Sequence, residues 1–372
     1  MSEMLKHSAS GLSTGGFLRK WLGPVALAIF SLTVVVSFLG YETSRWLIYL
    51  NVFFIGGFFV HYTIIEGLAA YVLKRIGQTV FVLWVISTLV FTLLQIIPGG
   101  PFDQERVLAP EVKAAIEAKY NLDAPLYVQY FEYLGGIVVG DLGQSYKYIG
   151  RNVSDILAES FPTSFQLGIF CLILSFLIGI PAGLFAAANH NTAKDSVTMV
   201  LAISSVSLPS FLVAALAITV FCFWLDWLPV ALWEGPAYYI LPVVVLGLRP
   251  AAFIARLTRA SVLDVVRSDY IRTARSKGLS EKVILYKHVL KNSLIPVLTY
   301  AGPMAAGILS GAFVIEHIFN IPGMGKHFIQ SVTNRDYPLV LGVTLIASFM
   351  LVISNLIVDI LYTYFDPRIK LS

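Results

Sequence analysis

Long apolar runs fill most of the chain, and short polar stretches separate them. After a polar tail over 1–20 that carries Lys6, Arg19 and Lys20, the pattern predicts spans over Trp21–Gly40 and Trp46–Ile65. Only Tyr-Glu-Thr-Ser-Arg lies between those two. A third span follows Lys74 and Arg75 and runs to Ile97, where Pro98-Gly99-Gly100-Pro101 stops it. Further spans are expected at Pro162–Ala188, Val197–Leu225, Tyr239–Ile254, Leu294–Ile315 and Leu339–Tyr364. Such runs read as membrane-crossing helices, so the chain is expected to be an all-α polytopic membrane protein with two spans and then six more. The polar segment between 98 and 161 is the long exception. Within it, Pro110–Tyr120 has the period of a short amphipathic helix, with Val112, Ile116 and Tyr120 on one face.

Composition supports that class. The 372 residues are 57% hydrophobic and 13% charged, more apolar side chain than a soluble fold of this size can hide. Cys171 and Cys222 each sit inside an apolar run and read as small buried hydrophobes, with neither disulfide nor metal spacing. No cleavable signal peptide is read at the start. Charge then sets the orientation. The N-terminal tail, Lys74 and Arg75, Lys194, the 255–293 loop and Arg368 with Lys370 fall on one side. The acidic 98–161 segment, the 226–238 turn with Asp226 and Glu234, and the 316–338 loop fall on the other. Basic residues collect on the cytoplasmic side, which places both termini there.

The most charged run is Arg267–Pro296, where Arg267, Arg272, Arg275, Lys277, Lys282, Lys287 and Lys291 outnumber Asp269 and Glu281. Two short helical patterns meet at Gly278. In the first, Val262, Val265, Val266, Tyr270 and Thr273 are expected on one face and Arg267, Ser268, Arg272 and Arg275 on the other. Gly278 can take the left-handed conformation that closes this helix, with Leu279 folding back over its last turn. Ser280 can cap the next helix through its hydroxyl. A small rigid knob on the membrane surface results. A solvated loop that only fixes topology has the same composition.

The order Tyr-Ile-Arg-Thr-Ala-Arg-Ser-Lys-Gly-Leu, followed by Asn-Ser-Leu-Ile-Pro, resembles the EAA loop of ABC importer permeases, and more narrowly those of peptide importers. The positions that usually read Glu-Ala-Ala are Arg272, Thr273 and Ala274 here. Other stretches match in the same order. They include Ile97-Pro98-Gly99-Gly100-Pro101-Phe102, Gly140-Asp141-Leu142-Gly143, Ser207-Leu208-Pro209-Ser210-Phe211, Ala255-Arg256-Leu257-Thr258-Arg259, Ile321-Pro322-Gly323-Met324-Gly325 and Asn334-Arg335-Asp336-Tyr337. The resemblance covers about residue 71 to the end. It implies a type I ABC importer permease fold of six core helices, organised as 71–160 (first core helix and extracytoplasmic segment) and 161–365, with the coupling loop at about 262–293. Residues 1–70 are an addition, read as two extra transmembrane helices that anchor the chain or aid its insertion. By resemblance, Asp269, Arg272, Thr273, Ala274, Lys277, Gly278 and Leu279 form the coupling helix that docks into an ATPase subunit. The implied partners are a second homologous permease, two ATPase subunits and an extracytoplasmic peptide-binding protein in the bacterial cytoplasmic membrane. The implied substrate is an oligopeptide. Dipeptides, nickel, antimicrobial peptides and glutathione are carried by relatives and stay open as alternatives.

The spans also carry candidate pathway residues. Prolines 181, 209, 242, 250, 296 and 303 fall inside or at the ends of spans, where each removes a helical hydrogen bond. Ser204, Ser205, Ser207, Ser210 and Asn355 are mid-span polar groups that either line a cavity or pack helices. Arg249 is sharper, because a charge at the bilayer centre costs about 2.5–3.5 kcal/mol and usually faces water or a partner. It is expected on the pathway, able to attract a peptide carboxylate. Asp359 reads as a snorkelling or paired charge. Glu316 and His317 are expected to open an outer loop whose Ile-Pro-Gly-Met-Gly turn closes the external mouth. Catalytic chemistry is not legible. The chain holds no His-Glu-x-x-His, its six histidines lack ligand spacing, and Gly325-Lys326 is no phosphate loop. No metal or cofactor of its own is expected, and ATP is consumed by partner subunits. An ion-coupled carrier is the remaining class, and the coupling loop argues against it.

Overall fold

The computed structural model describes residues 69–97, 100–102, 110–309 and 312–365. The two spans expected within 1–70 lie outside the described residues. The chain divides into two compact units, and the larger, Gln78–Trp233 with Ala237–Lys370, carries the features developed below. In chain order the helices are α1 Ala69–Ile96, α2 Pro110–Lys119, α3 Leu126–Val139, α4 Val153–Ala188, α5 Ala193–Ser207 and α6 Ser210–Ile218, which runs into a π-helix at Thr219–Trp224. Then come α7 Pro236–Val266, α8 Asp269–Ser276, the single turn α9 Glu281–Val283, a second π-helix Ile284–Val289 and α10 Leu290–Leu309. The last are α11 Phe313–Ile318, α12 Met324–Asn334 and α13 Tyr337–Phe365. Among the described residues, five helical stretches are long and apolar enough to cross a membrane, and one bent pair makes six. This is the six-span core the pattern predicts.

One expected span differs in shape. Val197–Leu225 reads as a single run, but α5 and α6 form an elbow bent by 102°. The break is local and chemical. Pro209 brings no N–H and crowds the residue before it, and Leu208 is extended at φ −89, ψ 136. Hydropathy is blind to this because both arms are equally apolar. A second difference is the start of α4, nine residues ahead of Pro162. Its first turns are amphipathic: Val153, Ile156, Leu157 and Ser160 are buried, while Glu159 faces out to pair with Arg151 at 2.6 Å.

The prolines of α4, α7 and α10 stay inside continuous helices. Close packing holds α4 against α7 along a seam of small residues four apart. Ser175 Oγ donates to the Gly247 carbonyl at 2.9 Å, and Cys171 Sγ lies 3.7 Å from the Val243 carbonyl. A β-carbon at Gly179 would come within 2.7 Å of the Ala251 carbonyl oxygen, and one at Gly183 would collide with that of Ala255. Two glycines four apart therefore let the two backbones approach, as small residues do in membrane bundles. Cys171 and Cys222 are both free and buried, as their surroundings predict.

Each end of α4 anchors a hydrophobic cluster. Val153, Ile156 and Leu157 pack with Met324, Leu339 and Val343. Ala187 packs with Val262, Ile271, Ala274, Ile284 and Val289. A helix of 36 residues is about 54 Å long, so these clusters are opposite poles of the bundle.

Candidate functional site

The knob at the Ala187 pole is built from α8, α9 and the π-helix that follows. α7 ends at Val266, and Ser268 is extended at φ −72, ψ 153, so α8 starts a new helical phase. The restart corrects the expected faces. Ile271 and Ala274 turn into the cluster, while Tyr270 and Thr273, expected beside Val262, lie exposed. Gly278 ends the helix as expected, at φ +77. The Leu279 N–H donates to the Ala274 carbonyl and the Gly278 N–H to that of Arg275, the paired bonds of a Schellman closure. Ser280 occupies the capping position of α9, but its hydroxyl makes no capping bond, contrary to expectation.

Side-chain bonds stiffen the knob. Arg275 donates through Nε and Nη2 to Glu281 at 2.7 and 3.2 Å, closing the Gly278 turn. Its guanidinium holds the exposed Glu281 carboxyl below the ordinary glutamate range. Asn292 Nδ2 donates to the Tyr270 hydroxyl at 2.7 Å, tying α8 to α10. Of the seven expected coupling residues, Asp269, Arg272, Thr273, Lys277, Gly278 and Leu279 are exposed together, and Ala274 faces inward as the knob's footing. Tyr286 and Val283 extend the same surface with exposed apolar area. The knob's outer surface is basic and partly apolar.

Just behind the knob lies an ion pair that was not singled out beforehand. Arg259, on α7, donates through Nε and Nη2 to the two carboxylate oxygens of Asp195, each at 2.6 Å. The Asn191 N–H donates to the same carboxylate at 3.1 Å, and His190 Nδ1 lies 3.3 Å from it. The Asp195 side chain is only 5% exposed. A hydropathy reading counts an aspartate near a helix start as surface. The span pattern gave no signal for the pair, because Arg259 falls in the expected 255–293 loop and reads there as one more basic loop residue.

The Val153 pole also buries carboxylates. Asp336 is 1% exposed and accepts from the Ser145 hydroxyl and from the Tyr146 N–H at 3.1 Å. It directly precedes α13, a position where aspartate commonly caps a helix. Glu316, expected to open an exposed loop, is instead fully buried. Its Oε2 accepts from the Ser164 hydroxyl at 2.9 Å and the Gly325 N–H at 2.7 Å. The Ile321–Gly325 turn is thereby fastened to α4.

The four expected pathway residues are not joined to one another by any hydrogen bond among the described residues. Arg249 is exposed on α7. Ser207 bonds back to the Ile203 carbonyl at 2.9 Å, and Ser210 starts α6 on the other side of the elbow. Asn355 packs toward Gly302 between α13 and α10, a helix contact. The Asp359 side chain lies outside the described residues.

Residues 179–371 match the family described as binding-protein-dependent transport system inner membrane component, and residues 68–168 match its N-terminal companion. The dipeptide transport system permease protein DppB of Bacillus subtilis is 44% identical over 304 residues, 82% of this chain and 99% of that one. The oligopeptide transport system permease protein OppB of Escherichia coli K12 is 44% identical over 302 residues, 81% of this chain and 99% of that one. Among solved structures, a chain from an inward-facing methionine ABC transporter is similar at 15% identity with a TM-score of 0.49, covering 57% of this chain and 96% of that one. With a family match over more than half its length and such relatives, this chain belongs to the binding-protein-dependent transport system inner membrane components, as a multi-pass inner-membrane permease.

Proposed function

We propose that this chain is the permease subunit of an ATP-driven importer of oligopeptides, with the knob Asp269–Val289 as the surface that receives an ATPase subunit. The observation that carries the reading is the knob itself: exposed basic and apolar groups on a helix closed by a left-handed glycine and footed on α4 and α7. Relatives named as oligopeptide and dipeptide permeases supply the substrate class. Both termini and the knob face the cytoplasm in this reading, and the Val153 pole faces the extracytoplasmic binding protein. The chain carries no ATPase of its own. Two ATPase subunits, drawn together on binding ATP, pull the knobs of this permease and a homologous second one. The two permeases then exchange inward- and outward-open states, whose free energies must lie close enough for ATP to invert them. In this reading Arg249, Ser207, Ser210 and Asn355 are the candidates for the peptide's route.

The test is purification of the tagged chain in mild detergent with identification of what accompanies it, then peptide uptake in proteoliposomes. Two ATPase subunits and a second permease are expected, with uptake that requires ATP and the binding protein. A chain that purifies alone, or uptake driven by an ion gradient without ATP, overturns the reading and favours a carrier.

A further inference from the structure

The elbow of α5 and α6 has an unusual relation to the rest of the bundle. Val197, Val200, Leu201 and Ile203 of α5 are all exposed, and only Asp195 and Ala202 on this arm are buried. The arm packs along α4. Among the described residues, the side-chain hydrogen bonds that leave α5 for another helix are those between Asp195 and Arg259. A forked guanidinium–carboxylate contact fixes orientation as well as distance, which a lysine or a single hydrogen bond does not. Both oxygens are engaged, the Asn191 N–H donates to the same carboxylate, and His190 Nδ1 lies 3.3 Å from it and 3.2 Å from Arg259 Nη2. Beside its packing on α4, the elbow's first arm is thus tied by hydrogen bonds to α7.

Where it is pinned matters. Arg259 lies one helical turn before Val262, and Val262 packs with Ile271 and Ala274, the two α8 residues that foot the knob. A push on α8 therefore reaches α5 by two routes: through Ala187 and the packing of α4 on α5, and through α7 and the forked ion pair. Packed interiors shift as units, and a short forked pair with a shielded carboxylate moves with its helix.

We propose that Asp195 and Arg259 are positioning residues for transport: their ion pair makes the α5–α6 elbow follow the knob. Without it the knob still receives the ATPase subunit and ATP is still hydrolysed, but the elbow lags and peptide does not pass. The inference rests on the importer reading and adds to it a particular point of transmission. Physical adjacency alone does not establish coupling, so the pair must be tested as a pair.

The experiment uses the complete assembly in proteoliposomes, with peptide uptake and ATP hydrolysis measured on the same samples. Variants are Asp195→Ala, Arg259→Ala, the double variant, and the near-isosteric Asp195→Asn and Arg259→Lys. Each single alanine variant is expected to lower peptide moved per ATP hydrolysed about tenfold, with hydrolysis within about twofold of the parent. The double variant should be no worse than either single one, because the pair acts as one device. Arg259→Lys, which keeps charge and loses the fork, should fall between. The isosteric variants decide the matter if an alanine variant does not assemble. An unchanged peptide-to-ATP ratio in Asp195→Asn and Arg259→Lys overturns the proposal, as does a double variant whose loss is the product of the two single losses. Uptake and hydrolysis that fall in strict proportion also overturn it, since that is the mark of a purely structural pair. If the parent assembly itself shows no peptide-stimulated ATP hydrolysis, the importer reading fails instead.

Discussion

At the Val153 end of α4 two carboxylates are buried, and at the Ala187 end the knob turns its charged groups outward. Asp336 and Glu316 are buried at the first, each held by hydroxyl and backbone donors from distant parts of the chain. At the second, Asp269, Arg272 and Lys277 stand in solvent over a cluster of aliphatic side chains. One glycine at each pole shows the difference in miniature. Gly278 has φ +77 and nothing within 4 Å of the place a β-carbon would take, so what it supplies is a backbone conformation. Gly323 has an ordinary φ of −107, but a β-carbon there would collide with the Glu316 carboxylate and the Ser164 hydroxyl, so what it supplies is space. Inward polar groups lock a pole shut against its neighbours. Outward ones leave a stiff surface free to be taken by something else.

That contrast can be broken at five points, in falling order of effect. Asp336→Ala orphans the Ser145 hydroxyl and the Tyr146 N–H, and should lower stability by about 3 kcal/mol, read as a lower Tm in detergent. Gly323→Ala should cost about 2 kcal/mol by overpacking, also seen in Tm, while Gly323→Asn is worse still because the obstacle is volume. Gly278 should behave in the opposite way. Gly278→Val costs about 1–2 kcal/mol from the left-handed conformation and uncouples ATP hydrolysis from uptake, whereas Gly278→Asn, which tolerates that conformation, stays near the parent in both. If asparagine is as harmful as valine at 278, the knob's turn is not conformational in origin.

The smallest effects are in pH. Burial holds the half-buried His327 imidazole, set edge-on to Tyr148, below its ordinary value. The unfolded chain therefore takes up a proton first, and stability at the Val153 pole should decline as pH falls below about 6.5. His327→Phe should flatten that decline in thermal melts. Glu281, held low by Arg275, contributes at neutral pH and loses its contribution only as pH falls past the ordinary glutamate value and through its lower folded one. Glu281→Gln should be indistinguishable from the parent in Tm, as expected for an exposed pair. Mild acid thus reaches the locked pole before the docking pole.

Much of this was legible in the sequence because the membrane imposes a coarse rule. Apolar length marks the six core spans, and a glycine between two amphipathic helical patterns marks the turn at Gly278. The misses come from places where that rule reads the wrong variable. Hydropathy does not register that Pro209 forces Leu208 out of the helix, so one span became an elbow. It does not show that Glu316, Asp336 and Asp195 are buried, because each takes a bond from a partner far away in sequence: Ser164, Ser145 and Arg259. The α8 face was misread for a different reason: its helical phase was continued from α7, and the break at Arg267–Ser268 reset it. The family resemblance located the knob but said nothing of what it stands on.

The π-helix Ile284–Val289 gives the knob's base an unusual tolerance to a change in chain length. Its wide turns bond residues five apart, and Ile284 and Val289, separated by five, are both buried in the same cluster. A wide turn holds one residue more than an α-helical turn would. Removing a single residue inside it is therefore expected to tighten the turn and leave α10 in phase with the knob. The same deletion inside α10 would rotate everything beyond it by about 100°. Between the knob and the membrane, the chain keeps one residue of slack.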